Sequence, residues 1–334
     1  MKRSHRFDMY LQAVALVGSH GSVRLDANET AMFARQLEDI DAQLYRVQYP
    51  QLKGTLLFPV KMDIDPGAEQ YTYRVMDYAG QAKIIANYSD DAPRVDIQGF
   101  EVKAPLHGIS DSYGYSVQDL RRSKLSGLGL ETERAMAARE VLARKHDSMI
   151  ATGDSDVGIT GALNNAYVDL VSPTTGSWIS GAVSADLVCA DLFKLERAII
   201  TGSKGIEMPD TLVMPPSLYA YADTVRLSNT ETSALEYFLK KSMGIKNVEQ
   251  WYPLETAGAA LATRMLAYTR NPTKVQALMP LEFNQSAPEA RNLSFVITCD
   301  GRSGGVIFRY PGSARYGQVL RCGYATSTPA PSTA

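Results

Sequence analysis

The segment LETERAMAAREVLARKHDSMIATGD, Leu130 to Asp154, constrains the fold of this chain more than any other stretch. Ala, Leu, Glu, Arg and Met are good helix formers, and over a window this long their small individual advantages add up. The segment is therefore read as one long helix, roughly 30 Å if some twenty residues are helical. Ala138, Val141, Leu142 and Met149 give it only a thin apolar stripe, and the rest is charged or small. Such a helix cannot lie inside a core. It must run across a domain, exposed along much of its length or covered by polar contacts.

GITGALNN, residues 158–165, follows directly and carries two glycines three apart. A phosphate loop would need G-x-x-x-x-G-K-[ST], in which backbone amides wrap the phosphate and the lysine neutralises it. After Gly158 and Gly161 come Ala162 and Leu163, so the lysine and the hydroxyl are missing. A dinucleotide fingerprint leaves a strand and enters a helix, whereas this segment leaves a helix. What remains is a turn whose glycines permit positive φ, with Asn164 and Asn165 tying it through side-chain bonds to the backbone.

The other elements are read from periodicity and turn chemistry. Phe33, Leu37, Ile40, Leu44 and Val47 lie on one face of a helix from Asn28 to Tyr49, stopped by Pro50. Tyr71, Tyr73 and Val75 alternate, as do Val95 and Ile97, which gives a long β-hairpin around QAKIIANYSDDAP. A two-stranded ribbon is marginal alone in water, so this one must lie on another surface, a neighbouring copy being the obvious candidate. Ser116 and Asp119 form a capping-box-like helix start, with Asp in the place of Glu or Gln. A helix capped by Ser184 or Asp186 runs through Ile200, and a buried strand in DTLVMPPSLYAYAD is terminated by Pro215-Pro216. Ser233 to Met243 forms a further helix, and RMLAYTR a strand. LSFVITCDGRSGGVIFRYP, Leu293 to Pro311, reads as two apolar strands around a Gly-rich turn, hence a hairpin. The tail STPAPSTA is expected to be disordered.

Composition excludes several classes. A chain of 334 residues exceeds the usual single core, so two substructures or a discontinuous domain are expected. Its formal charge of −2 and pI near 6.1 argue against a dedicated nucleic-acid binder, which concentrates basic residues. Cys189, Cys299 and Cys322 are scattered and lack metal or redox spacing, which points to a reducing compartment. The start MKRSHRFDMYLQAVALVGSHGS resembles a signal peptide superficially. Arg6 and Asp8 interrupt it, and the apolar run is too short to span a bilayer.

No catalytic constellation survives. GRSGG, Gly301 to Gly305, matches the nucleophile-elbow expression with Ser303 in the nucleophile position, but a strand follows where a helix is required. All four histidines, His5, His20, His107 and His146, precede Ser303, against the order of that hydrolase class. His146-Asp147 near Asp154 and Asp156 has no metal-ligand spacing and reads as a solvated helix end. Asp90-Asp91 lies at a loop tip with no partner to split its pKa values. No catalytic, cofactor-binding or metal residue is assigned, no cofactor is expected, and an enzyme using Ser303 is the weakest reading.

The order of these parts, with G-I-x-G-x-L-N-N after the long helix and the wording PRVDIQGFEVKAPLHGISDSYGYSVQDLRRS, resembles the major capsid proteins of tailed double-stranded DNA bacteriophages. The resemblance runs from Leu25 to about Tyr324 and implies the α+β Hong Kong 97-type fold. It divides the chain into an N-terminal arm with its helix (1–52), an extended hairpin loop (53–105), a peripheral domain with the spine helix (106–180), an axial domain (181–291), strands returning to the peripheral domain (292–325) and a tail (326–334). It also implies a non-enzymatic shell subunit in hexamers and pentamers around packaged double-stranded DNA, found in the virion and assembled in the bacterial cytoplasm. The implied partners are further copies of the chain, a portal protein, a scaffolding protein and a decoration or cement protein, with no membrane. Lys2, Arg3 and Arg6 are the candidates for non-specific phosphate contact at the inner surface. Some such proteins crosslink a hairpin lysine to an asparagine of a neighbour. Lys83 could take that role, but the acid and asparagine it needs cannot be placed, and it reads as an ordinary solvated lysine. The hairpin begins by about residue 54, so scaffolding is expected to be separate or absent. An encapsulin-like compartment shell shares the fold and is the alternative.

Overall fold

The computed structural model describes residues 47, 49–84, 93–126, 129–174, 178, 183–228, 230–258 and 262–319. The chain divides into a unit of residues 1–49 and a second unit from Pro50 onward, which holds the helices and strands of the described residues. The expected helix over 28–49 apart from Val47 and Tyr49, the basic residues Lys2, Arg3 and Arg6, the Asp90-Asp91 tip and the tail lie outside the described residues.

The second unit opens with a one-turn helix α1 (Gly54–Leu57) and a short strand β1 (Val60–Lys61). Strands β2 (Gln70–Ala79) and β3 (Asp96–Pro105) then pair antiparallel over ten residues, from Gln70 opposite Pro105 to Ala79 opposite Asp96. This is the expected ribbon, about 33 Å long at the usual strand rise. After Leu106, which is buried, the chain continues as β4 (His107–Ser116) in a different sheet. Helix α2 (Val117–Ser126) begins with the expected box: the Asp119 amide donates to Ser116 Oγ at 3.0 Å and the Ser116 amide to Asp119 Oδ2 at 3.4 Å. Asp serves here because its carboxylate reaches back across one helical turn.

Helix α3 (Leu130–Ala151) has 22 residues, hence about 33 Å of length. Its buried line differs from the expected stripe. Val141 is 48% exposed, and the line runs Ala138, Leu142, His146, Met149 and Ile150. His146 stands on the inner face at four-residue spacing from Leu142, so it is part of the core and not a solvated helix end.

Beyond α3 come the two-residue strands β5 (Gly153–Asp154), β6 (Ile159–Thr160) and β7 (Leu170–Val171), then helix α4 (Ala185–Gly202). Strand β8 (Thr211–Met214) is fully buried and stops at Pro215 as expected. Helix α5 (Pro216–Thr224) comes next, because Pro216 sits in the first helical turn, where its missing N–H costs nothing. Helix α6 (Ala234–Lys241) is capped by Ser233 Oγ, which accepts from the Glu236 amide. Strands β9 (Asn247–Gln250), β10 (Thr263–Tyr268), β11 (Val275–Leu278), β12 (Leu281–Gln285), β13 (Glu289–Arg291), β14 (Ser294–Ser303), β15 (Gly305–Phe308) and β16 (Ala314–Val319) complete the described chain.

A five-stranded sheet, in the order β7-β16-β10-β8-β9, separates two cores. Side chains alternate across it, as a pleated strand requires. Leu266 and Tyr268 of β10 face a core that holds Phe58, Trp251, Phe308 and the end of α3, at Ile150 and Ala151. Met265 and Ala267 face a second core formed with α4, α5 and α6. The expected hairpin over 293–311 is not formed. β14 pairs with β4, β12 and β13, whereas β15 pairs with β11, so the chain passes from one sheet to another through Gly304 without reversing. Apolar runs flanking a Gly-rich turn cannot distinguish a hairpin from a strand that changes sheets, since both need small residues at the crossing. No helix among the described residues is long and apolar enough to cross a membrane.

Candidate functional site

The loop that follows α3 closes the end of that helix. The last carbonyls of a helix have no partner within it and need one from elsewhere. Here the Ala162 amide donates to Ile150 O at 2.8 Å, the Leu163 amide to Ala151 O at 2.9 Å, and Asn164 Nδ2 to Thr152 O at 2.5 Å. Asn164 Oδ1 also accepts from the Gly161 amide at 2.9 Å, and Asn165 Oδ1 from the Tyr167 amide at 2.9 Å. Both asparagines tie the turn as expected. Gly158 has φ +72° in open space, which is the expected use of a glycine. Gly161 serves differently: a Cβ there would stand 2.5 Å from Gly153 N and Thr152 C, so it is a glycine because the helix end occupies that space.

The loop is tied in turn to the five-stranded sheet. Tyr316 Oη donates to Ala162 O at 2.6 Å and accepts from the Asn165 amide at 3.1 Å. Arg264 Nη1 donates to Leu163 O while its guanidinium lies 4.7 Å from the Tyr316 ring centroid, a cation–π stack. Burial pushes the Tyr316 phenol up to about 12 and lowers the Arg264 pKa.

GRSGG lies against the same helix and loop. A Cβ on Gly301 would stand 2.8 Å from His146 Nε2, one on Gly304 2.5 Å from Leu106 Cδ2, and one on Gly305 2.6 Å from Ile159 Cγ2 with Thr160 O closer still. The two glycine-rich motifs thus meet at Gly305 and Thr160, where strand, loop and helix end approach closely. Ser303 is fully buried, its Oγ accepting from the Gly305 amide at 3.4 Å and donating to Leu278 O at 3.5 Å. That hydroxyl is enclosed and can meet no substrate. Asp147 accepts from the Gly54 amide at 2.6 Å and joins α3 to α1, while Asp154 pairs with Lys145. Among the described residues no three His, Cys, Asp or Glu side chains group to hold a metal. Cys189 and Cys299 are buried free thiols.

The ribbon carries the clearest contact surface. Its base packs inward through Tyr71, Tyr73 and Ala104 against Leu106, Leu278 and Ile307. Farther out, Tyr78 opposite Ile97 and Met76 opposite Gly99 lie on one face, with exposures of 75% for Tyr78 and 61% for Ile97. Val95 and Phe100 are exposed as well, and Lys83 is exposed near the described end of the ribbon. Burying a large apolar side chain stabilises by about 1.5–3 kcal/mol, so covering the face that holds Met76, Tyr78 and Ile97 would be favourable.

A family profile described as "Major capsid protein" matches residues 80–319. No curated protein matches. "The capsid of Myoviridae Phage XM1" superposes with a TM-score of 0.77 at 18% identity, covering 86% of this chain and 99% of that one. A chain from Mycobacterium phage Bobi aligns with a TM-score of 0.61 at 14% identity, over 87% of this chain and 97% of that one. "Capsid of native GTA particle computed with C5 symmetry" gives 0.61 at 14%, over 89% and 100%. At these identities the solved structures speak to the fold.

Proposed function

The chain belongs to the major capsid protein family, and from that premise we propose that it self-assembles into the hexamers and pentamers of an icosahedral shell around a double-stranded DNA genome. It is a structural, non-enzymatic capsid protein with the Hong Kong 97-type fold of bacteriophage shells. The observation that carries the assembly reading is the β2–β3 ribbon. A two-stranded arm about 33 Å long, anchored at its base and apolar on one outer face, has that face exposed among the described residues. A contact that joins different patches of identical subunits repeats around closed rings, which is how a shell grows.

In this reading residues 1–52 are the arm, 53–105 the extended loop, and 106–180 with 292–325 the peripheral domain around the spine helix α3. Residues 181–291, built on α4, α5 and α6, form the axial domain at the ring centre. A portal protein and a decoration or cement protein are its partners, and any scaffolding protein is a separate chain that acts during assembly. Packaged DNA meets the inner surface through phosphate contacts that weaken with salt, with Lys2, Arg3 and Arg6 as candidates. Assembly takes place in the host cytoplasm.

Electron microscopy of the purified full chain tests this directly. Closed particles or hexamer sheets are expected, and a folded monomer under every assembly condition would overturn the proposal. Mass spectrometry of particles from infected cells separates the contents: portal protein and DNA support a virion shell, whereas an enzyme cargo indicates a compartment shell.

A further inference from the structure

His146 is the one polar side chain on the inner line of α3, and it is 2% exposed. It sits at an irregularity in the neighbouring sheet. β12 and β14 pair at Leu281 opposite Arg302 and at Asn284 opposite Asp300, so Glu282 and Phe283 together face the single residue Gly301. That is a β-bulge, and it turns the Glu282 carbonyl toward the helix. Gly301 leaves the hole that the imidazole fills, and His146 Nε2 lies 3.0 Å from Glu282 O. A carbonyl only accepts, so Nε2 carries the proton and Nδ1 is the bare nitrogen of a neutral ring. Nδ1 is buried without a hydrogen-bond partner.

We propose that His146 is an acid-sensitive latch between α3 and the bulged edge of the β4–β14–β12 sheet. As a neutral ring it holds Glu282 against the helix. Protonated, it would place a second, unsatisfied N–H in a buried site, and the charged ring is accommodated when β12 lifts away.

The charged groups around the ring leave the neutral form favoured. Burial lowers the His146 pKa, while the Glu282 carbonyl and carboxylate oppose that shift more weakly. From β14, Asp300 is held by Asn284 Nδ2, and Arg302 points to the carbonyls of Pro66 and Leu106. On α3 itself, Lys145 pairs with Asp154, Asp147 accepts from Gly54, and Arg139 lies over the Phe283 ring. Glu282 is therefore the charged side chain left to act on the imidazole. The sign follows: the folded ring holds its proton less tightly than an exposed one. The latch is whole above the ordinary histidine pKa of about 6.5 and weakens as pH falls below it.

The test is amide exchange, read by mass spectrometry on the full chain and corrected for the intrinsic rate, in the wild type and in His146→Gln. Glutamine can offer an N–H from a similar position but does not titrate. Below pH about 6.5 the opening of 282–285 should rise about tenfold per pH unit in the wild type until the folded ring itself titrates. In His146→Gln it should stay flat. A wild type with no pH dependence there, or a variant with the same dependence, overturns the proposal. Should the variant fail to fold, histidine nitrogen resonances of the wild type decide the matter. The ring should titrate below about 6.5, at the pH where the rise in opening of 282–285 levels off, and a ring midpoint at or above about 6.5 overturns the latch.

Discussion

Alanine at Gly161 and at Gly158 separates two reasons for a glycine within one loop. Gly158 has φ +72°, and a Cβ there would meet nothing within 4 Å, so Gly158→Ala should cost only the left-handed backbone penalty, about 1–2 kcal/mol. Gly161 has no such φ, but its Cβ would stand 2.5 Å from Gly153 N and Thr152 C. Those are main-chain atoms at the end of α3 and cannot swing aside as a flexible side chain could. To relieve the clash the loop must withdraw, and the bonds from Ala162 to Ile150 and from Leu163 to Ala151 lengthen with it. Overpacking costs about 1–3 kcal/mol and each weakened hydrogen bond about 1 kcal/mol, so Gly161→Ala should lose about 3–5 kcal/mol. Urea unfolding of the dissociated subunit, followed by circular dichroism, measures both variants. The midpoint of Gly161→Ala should fall well below that of Gly158→Ala with little change in slope. If the two are equal, or Gly158→Ala is the worse, the loop is governed by φ alone and the close-approach argument is wrong.

Other perturbations test the remaining contacts. Tyr316→Phe removes the partner of Ala162 O and of the Asn165 amide, both within the loop junction, and should cost about 1–3 kcal/mol in unfolding experiments. The wild-type phenol, pushed up to about 12, keeps its proton when an unfolded chain would lose it. Its contribution is therefore whole below pH about 10 and declines as pH rises toward about 12, a slope that alkaline titration of stability should find reduced in Tyr316→Phe. Glu196 is 1% exposed and accepts from Ser242 Oγ and the amides of Met243 and Gly244; Glu196→Ala should cost about 1–3 kcal/mol by calorimetry, and Glu196→Gln less. Tyr78→Asp and Ile97→Asp change residues that are exposed in the subunit, so its stability should stay within about 0.5 kcal/mol while particle formation in electron microscopy is lost.

Much of the fold was legible because its causes are local. The helix at 130–151 follows from propensity, the ribbon from alternation around Tyr71, Tyr73, Val95 and Ile97, and the start of α2 from Ser116 and Asp119 three residues apart. Asn164 and Asn165 were readable as turn ties because their acceptors reach amides two or three residues away. The line from Leu142 to Ile150 shows where such reasoning fails. Four-residue spacing puts His146 on the inner face, yet a histidine beside Asp147 near a helix end reads as solvated unless the hole at Gly301 is known. Likewise, the two-sheet path of 294–308 depends on which strand each half pairs with, and those partners lie as far away as His107 and Val275.

The amino-acid sequence by itself determined the elements whose stabilising contacts lie within a few residues: the long helix, the ribbon, the caps and the turn ties. Through its motif order it also pointed to the family. Tertiary structure alone decided why Gly161, Gly301 and Gly304 are glycines, why Ser303 is enclosed, and why a histidine occupies a core position. In each case the reason is the volume or hydrogen-bonding group of a residue distant in the chain, which backbone propensity and periodicity do not encode.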